Sequence, residues 1–370
     1  MKTVLFLGFD KNRGLTYHFV DWMVALRKAA GTRVNMVFAT RKNEQHEGLH
    51  DRLKQHSSLD CRIVESIEDL DKTGILETVD VVHCHGFGHA ASMLEIRKRK
   101  KLKYKIIVTI HAFRNLSRYR PIYANLMSYY CNKIDVTHFL SHTAKNEFLR
   151  CNLMYNRSNR SFVFPLGCNE TEFTGNESIE HLDFYQELAE GKNNIVYLAS
   201  LYPGKQHLCL IKAIQDVLVK ENARLWLFGH KGSTFEKVQR HIERNGLAQY
   251  VRVPGQVHRE HIPAILKKMD LAVCSSKSEN SPHAIMEPMF AGIPVVTFDV
   301  GTASYLIRDF SNGFVARNRS ERVNFAKAVE FLLHNRESAA AMGRNNHEIA
   351  HRWLTWDVHC KNCVDMYLGL

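Results

Sequence analysis

Glu279 and Glu287 stand eight positions apart in SENSPHAIMEPMFAGIPVV, residues 278–296, with a Ser-Pro step between them. The preceding run, DLAVCSS, has the composition of a buried strand and ends in small polar residues. Ser281 is the predicted N-cap and Pro282 a predicted first-turn residue, so a helix is expected to begin there. Glu279 then lies in the loop at the strand's carboxyl end, and Glu287 about a turn and a half into the helix. The helix N-terminus adds N–H groups without helical partners and the positive end of a dipole. Carboxylates that accept from hydroxyls, beside a helix end that favours anions, suit a sugar joined to a phosphate. Pro288 removes one helical hydrogen bond and should kink the helix; Gly292 should end it.

A glycoside hydrolase arrangement of the two glutamates fits less well. Such enzymes hold their carboxyl groups about 5–9.5 Å apart, whereas eight helical residues span about 12 Å. Separate jobs are expected for the two.

The elements around them alternate. KTVLFLGF, RVNMVFAT, VDVVHCHG, YKIIVTIHAF, VTHFLSHT and SFVFPLG read as strands separated by amphipathic helices. The first of them reads as a strand rather than a signal peptide, because it lacks a small-residue cleavage site. Residues 169–193 are polar and acidic and read as a linker. The pattern then restarts with NIVYLASL, ARLWLFG, YVRVPG, DLAVCSS and PVVTFD. Short β-branched runs joined by helices predict parallel sheets. The expected fold is α/β, with two Rossmann-like doubly wound domains facing across a cleft and ligands at the carboxyl ends of the strands. The expected boundaries are 1–168 and 194–351, with a C-terminal helix, 352–370, crossing back to the first domain.

The chain has 370 residues, 45% of them hydrophobic and 24% charged, and a formal net charge of +12. Lys and Arg exceed Asp and Glu only in residues 1–168, 27 against 15; residues 169–370 carry 23 of each. Such asymmetry suggests an anionic surface or substrate for the first half, or a solvated basic face. No run approaches the ~20 apolar residues of a membrane span. Nine scattered cysteines suit a reducing compartment with free, buried thiols. Cys360 and Cys363 lack the second pair a zinc site wants and are expected as neighbours on a helix face.

Other motifs are weaker. His83 and His85 in HCH share a strand face and are expected to line the cleft, a two-histidine metal site being the alternative. Asp69 and Asp71 form an Asp-x-Asp in a polar helical stretch. No Gly-x-Gly-x-x-Gly follows the first strand, which disfavours a nicotinamide dehydrogenase. IRKRKKLKYK, residues 96–105, has no nucleic-acid module around it. Together with FRNLSRYRPIYANLMSYY, residues 113–130, it fits an anionic membrane surface or a lipid diphosphate better, with a plain solvated face equally open.

The spacing of the two glutamates resembles the glutamate-x₇-glutamate signature of the family 4 (group 1) retaining glycosyltransferases, which have the GT-B fold. LASLYPGKQHLCLIKAI, LWLFGHKG, VPGQVHREHIPAILKKMDLAVCSS and NGFVARNRSERVNFAKAVEFLL resemble further stretches of that family, and VVHCHG, VTIHAF and FPLGCNETEF stand in the order the family places them. The resemblance implies a UDP-sugar or GDP-sugar donor, retention of configuration and no required metal or other cofactor. It implies that Glu279 contacts the donor sugar's hydroxyls, helped by the amides of Asn280, Ser281 and His283. Glu287 would accept from the ribose, Lys205 would hold the diphosphate, and His111 would reach the sugar from the acceptor-side domain. Gly14 would let the first loop approach the phosphates, and Gly229 belongs to the strand-and-turn motif. One position departs: the family has an arginine where this chain has Ser200. A second cation for the diphosphate must come from elsewhere, with Arg13 and the helix end before Pro282 as candidates.

The expectation is a hexosyltransferase acting on a glycan or lipid-linked acceptor in cell-surface polysaccharide synthesis (lipopolysaccharide, O-antigen or capsule). It would be cytoplasmic, with a peripheral place on the inner face of the cell membrane as an option and no nucleic-acid partner. A sugar-nucleotide epimerase on the same fold and a basic nucleic-acid-binding protein are the alternatives.

Overall fold

A computed structural model describes residues 1–8, 13–41, 53, 55–56, 59–111, 129–152, 154–175, 177–190, 193–317 and 319–370, with the backbone alone for 13–18, 41, 171 and 319. The chain forms two compact units, Met1–Gly167 with Trp356–Leu370, and Cys168–Thr355. The chain thus passes between them twice. At those passages Cys168 N–H donates to Leu354 O (2.7 Å) and Cys168 bridges Thr355.

The N-terminal unit holds a seven-stranded sheet: β1 Lys2–Gly8, β2 Val34–Arg41, β3 Cys61–Val64, β4 Val81–His85, β5 Lys105–Ile110, β6 Val136–Phe139 and β7 Ser161–Val163. The order is β3-β2-β1-β4-β5-β6-β7, and every pairing is parallel. Side chains of a strand alternate between faces. Val4 and Phe6 therefore enter one core cluster, with Trp22 and Tyr367, while Leu5 and Leu7 enter another, with Leu70 and Met93. The C-terminal helix Trp356–Leu368 completes the first cluster, and Trp356 stacks on Trp22 of the helix Arg13–Ala30, ring centroids 5.3 Å apart. Cys360 and Cys363 are buried on that helix as free thiols.

Into this apolar face the sequence inserts histidines. His83 was expected to line a cleft; it is instead wholly buried, bonded through Nδ1 to Tyr367 Oη (2.7 Å) and through Nε2 to Thr109 Oγ1 (2.7 Å). Thr109 Oγ1 continues to His138 Nδ1 (2.9 Å), and His138 Nε2 donates to Phe164 O (3.1 Å). His85 Nδ1 meets His111 Nε2 at 2.6 Å, and His359 Nδ1 donates to Pro165 O at 2.7 Å. Each imidazole has at least one ring nitrogen turned onto a protein partner, which is how polar groups survive burial and why a lone strand-end reading fails.

The second unit carries β8 Asn193–Leu198, β9 Ala223–Phe228, β10 Val251–Gly255, β11 Leu271–Cys274, β12 Val295–Phe298 and β13 Gly313–Ala316, in the parallel order β10-β9-β8-β11-β12-β13. Both sheets reverse strand order once, between β1 and β4 and between β8 and β11. Residues 169–193 are not a free linker. They hold the turn Glu170–Phe173 and the helix Tyr185–Ala189, and Phe173, Ile179 and Leu188 are buried in the core of this unit. Their apolar residues are too widely spaced to show a strand or helix period, so packing alone reveals them. Among the described residues no helix is long and apolar enough to cross a membrane.

The buried imidazoles make the N-terminal unit acid-sensitive. Burial, then neighbouring imidazoles, holds His83, His85 and His138 well below the ordinary value, while His111 is pushed down to about 3 and His359 to about 4 by burial first. The unfolded chain takes up those protons near pH 6.5 and the folded chain does not. Stability is therefore complete above pH 6.5 and lost as pH falls below it, by about 1.4 kcal/mol per pH unit for each imidazole. Thermal melts from pH 8 to pH 5 should show Tm flat at first and then falling from about 6.5; a constant Tm down to pH 5 contradicts this account.

Candidate functional site

Lys205 and Glu279 follow β8 and β11, the two strands that flank the reversal of the second sheet. That is where a parallel sheet opens a crevice at its carboxyl edge. Lys205 Nζ ion-pairs with Glu279 Oε1, with 34% and 15% of their side chains exposed. The pair has a built base. Lys205 sits in the turn Pro203–Lys205, and its carbonyl accepts from Tyr197 Oη (3.0 Å) and Ser275 Oγ (2.9 Å). Tyr197 Oη also meets Ser276 Oγ at 2.7 Å, and Lys277 N–H donates to Gly204 O at 2.7 Å. The small polar end of DLAVCSS thus clamps the lysine turn from below. Tyr197, Ser275, Ser276 and Lys277 were not singled out from sequence; only the Ser-Ser ending of the strand hinted at them.

Two glycines let loops meet. Gly229 has φ +149°, and a Cβ there would fall 2.4 Å from Ala199 O and 2.6 Å from Ser200 N. Ser200 is held in the same contact, with Leu201 N–H donating to His230 O at 2.9 Å. Gly301, unrecognised in the sequence, has φ +55°, and its Cβ would lie 2.5 Å from Asn280 O and 2.8 Å from Glu279 O. It supports the peptide that follows the first glutamate.

The helix spans His283–Phe290, with Pro282 at the N-cap and no side chain accepting from its first amides. The expected Ser281 cap is therefore absent. Pro282 is extended, ψ 113°, which delays the helix by one residue, and Ser281 Oγ instead donates to Met286 Sδ (3.2 Å). Asn280 is buried beside it. Glu287 is buried too, and its Oε1 pairs with Arg259 Nη1 (2.7 Å) and His283 Nδ1 (3.2 Å). Burial would raise its pKa, but the Arg259 charge and the His283 contact reverse this and hold it at about 2. Arg259 Nη2 reaches Glu172 Oε2 at 3.1 Å on its other side. Burial would lower the pKa of Arg259, yet the two carboxylates hold it above its ordinary value. Arg259 and Glu172 were missed because a charged residue in a polar stretch carries no signal of burial.

Lys205, Ser200, Gly229, Glu279, Asn280, Ser281, His283 and Glu287 thus belong to one unit, with contacts joining Lys205 to Glu279, Gly229 to Ser200 and His283 to Glu287. Arg13, Gly14 and His111 belong to the other. Arg13 and Gly14 start the helix Arg13–Ala30 rather than forming a loop, and His111 follows β5, bonded to His85.

The basic stretch before β5 proves largely self-paired. Arg97 binds Asp135 (2.6 Å), Arg99 and Lys100 bind Asp71 (2.9 and 2.8 Å), and Lys105 binds Asp135 (3.1 Å). The same pairs explain Asp71, while Asp69 accepts from Ser66 and Lys72. Only Lys98, Lys101 and Lys103 of the run stay exposed outside these pairs. Residues 112–128, most of the aromatic stretch, lie outside the described residues. Among the described residues, Glu221, Glu330 and His334 bring ligand-type atoms within 4.8 Å of one another, but Lys220 already pairs with Glu330 there.

Replacing Gly301 by Ala should displace the Glu279–Asn280 peptide, because the new carbon meets backbone and the φ is unfavourable. We expect a Tm loss of several degrees, about 1–3 kcal/mol, with loss of whatever activity Glu279 supports. An unchanged melting curve would show the loop to be looser than this contact implies.

Comparison with known proteins agrees with this geometry. The family model for glycosyl transferases group 1 matches residues 178–349, and that for glycosyltransferase family 4 matches residues 13–169. EpsD of Bacillus subtilis, a putative glycosyltransferase, is 24% identical over 286 residues, 74% of this chain and 72% of that one. An uncharacterised glycosyltransferase of Methanocaldococcus jannaschii, MJ1178, is 23% identical over 281 residues, 76% of this chain and 73% of its own. HepE of Anabaena, solved with UDP and glucose, superposes with a TM-score of 0.80 at 16% identity over all of both chains. TarM of S. aureus, solved with UDP, gives 0.70 at 14% identity over 100% of this chain and 99% of that one. These structural likenesses show the fold. The two parallel sheets, the carboxyl-edge site and both family models lead to one conclusion: the chain belongs to the group 1, family 4 glycosyltransferases and has the GT-B fold.

Proposed function

We propose that the protein moves a hexose from a nucleoside diphosphate, with retention of configuration and without a metal, to a hydroxyl of a glycan or lipid-linked acceptor. The observation that carries this is the Lys205–Glu279 ion pair at the reversal of the second sheet. A glycosyl diphosphate set between them gives each a matched partner: phosphate oxygens for the ammonium, sugar hydroxyls for the carboxylate. As the glycosidic bond breaks, positive charge grows at the anomeric carbon and negative charge on the departing diphosphate. Lys205 and the amides before and at His283 meet the latter, each donor contributing about 3 kcal/mol to the transition state. Glu287, ionised, accepts from the ribose. His111 faces the sugar from the acceptor side in this reading. No general base is assigned; the acceptor proton leaves with the diphosphate.

UDP is the favoured nucleotide. HepE is solved with UDP-glucose, and a relative of 30% identity over 132 residues, GtfA of Streptococcus gordonii, is a UDP-N-acetylglucosamine–peptide transferase. GDP remains the second choice, since relatives in Mycobacterium tuberculosis are GDP-mannose-dependent. Retention is supported by the α-N-acetylglucosaminyl product named for the S. aureus relative. A role in cell-surface polysaccharide synthesis and a cytoplasmic place on an anionic membrane face extend the same reading, with Lys98, Lys101 and Lys103 as the contact. Serine at those three positions should then reduce cosedimentation with anionic vesicles; equal binding removes the membrane contact.

Thermal-shift screening against UDP- and GDP-sugars, followed by transfer assays, tests the core of the reading. Glu279→Ala and Lys205→Ala should each lower turnover at least ~100-fold while Tm stays within a few degrees. Near-normal turnover in both refutes the site. Free UDP released with no acceptor present would instead favour an epimerase or hydrolase.

A further inference from the structure

We propose that Arg259 is a positioning residue for the nucleotide, fixing the carboxylate of Glu287 in the orientation and charge state that the ribose needs. This rests on the ribose-accepting reading of Glu287 given above.

The argument starts from burial. Glu287 has 4% of its side chain exposed and sits on a helix of eight residues packed into the core. A carboxylate in such a place neutralises unless a cation stands by it. Protonated, it would turn one of its oxygens into a donor; ionised, it is acceptor only and can take two hydroxyls. Arg259 supplies the cation at 2.7 Å. The contacts from Arg259 and His283 both fall on Oε1, and the inference assigns the other oxygen, Oε2, to the ribose.

Arg259 is itself fixed. Glu172, on the turn Glu170–Phe173 just after the passage at Gly167–Cys168, reaches the other guanidinium nitrogen at 3.1 Å. Arg259 and Glu172 each keep 17% of their side chains exposed, so the three groups form a nearly buried line, Glu172–Arg259–Glu287. A planar guanidinium can serve two carboxylates from two nitrogens in one pose; an ammonium serves as a point charge without that fork. The geometry also separates Arg259 from the diphosphate. Its charge is committed to two carboxylates, so it does not supply the cation missing at Ser200.

Interactions that hold the nucleotide equally before and during bond breaking affect KM and spare kcat. The test is titration calorimetry of UDP and 2′,3′-dideoxy-UDP, and of the GDP pair, with steady-state kinetics on the donor. Wild type should prefer the ribose form by about tenfold or more, the worth of one to two hydrogen bonds. Arg259→Met should bring that preference close to parity and raise donor KM about tenfold with kcat within about threefold. Arg259→Lys should recover part of the preference, and Glu172→Gln should lose part of it. Full ribose preference in Arg259→Met overturns the inference while the site stands. Should Arg259→Met fail to fold, Arg259→Lys and Glu172→Gln decide: both matching wild type in preference and KM overturns it. A Glu287→Gln variant that keeps full ribose preference, or a wild type that binds no nucleoside diphosphate, sinks the reading of Glu287 and this inference with it.

Discussion

An ammonium and a carboxylate at the ends of two adjacent parallel strands impose the strictest condition on this molecule. Lys205 and Glu279 can meet only if β8 and β11 are neighbours, although 72 residues separate the end of one strand from the start of the other. The sheet achieves this by winding β9 and β10 to one side and β11 to β13 to the other. A lysine and a glutamate distant in sequence then converge at one edge. Everything beneath them serves that convergence: the hydroxyls of Tyr197 and Ser275 bind the lysine's own carbonyl, Ser276 holds Tyr197 in turn, and Gly229 and Gly301 remove the carbon atoms that would hold the loops apart. A pair so supported is preorganised, and preorganised charge is what stabilises a departing phosphate at little cost in reorganisation.

The N-terminal unit meets a different constraint. Its first six strands follow the same order, but its core contains five imidazoles, His359 among them on the last helix, that bond to Tyr367, Thr109, one another and backbone carbonyls. Such networks specify one arrangement of strands, because a one-residue slip would bury each polar atom without its partner. They also tie the last helix to the first sheet: Tyr367, near the chain's end, answers His83 in β4. The positive charge of this half serves structure in the same way. Arg97, Arg99, Lys100 and Lys105 brace helices and strands through Asp71 and Asp135, so much of the basic run is matched locally by carboxylates.

Alternating runs and turn glycines made the parallel sheets legible, and the Glu279–Glu287 stretch with Lys205 marked residues of which Lys205 and Glu279 meet at the carboxyl edge of the second sheet. What stayed hidden has specific causes. Ser281 satisfied every preference for an N-cap, yet the proline after it took the position, since propensity does not weigh the rigidity of a neighbour. Residues 169–193 looked like a linker because Phe173, Ile179 and Leu188 are spaced for irregular packing rather than for a period. Gly301 and Tyr197 act through contacts with residues far away in sequence. His83 was assigned to a strand face correctly and to the wrong environment, because alternation gives the face of a strand and not what covers it.

Ser200 poses the remaining chemical question, and charge bookkeeping narrows it. In the resemblance an arginine stands at this place, one loop from Lys205, and under the proposed reading the serine here leaves the diphosphate side of the site one cation short. Arg259 lies in the same unit but is committed to Glu172 and Glu287. A site with a single ammonium must lean more heavily on fixed dipoles: the amides at the start of His283–Phe290, where no side chain caps the helix. A serine or aspartate at that N-cap would occupy the amides; Pro282 has no side-chain acceptor to offer them. The proline that displaces the expected Ser281 cap thus has no side chain to set against the positive end of the helix, and in the proposed reading that end is where the compensation for a missing arginine falls.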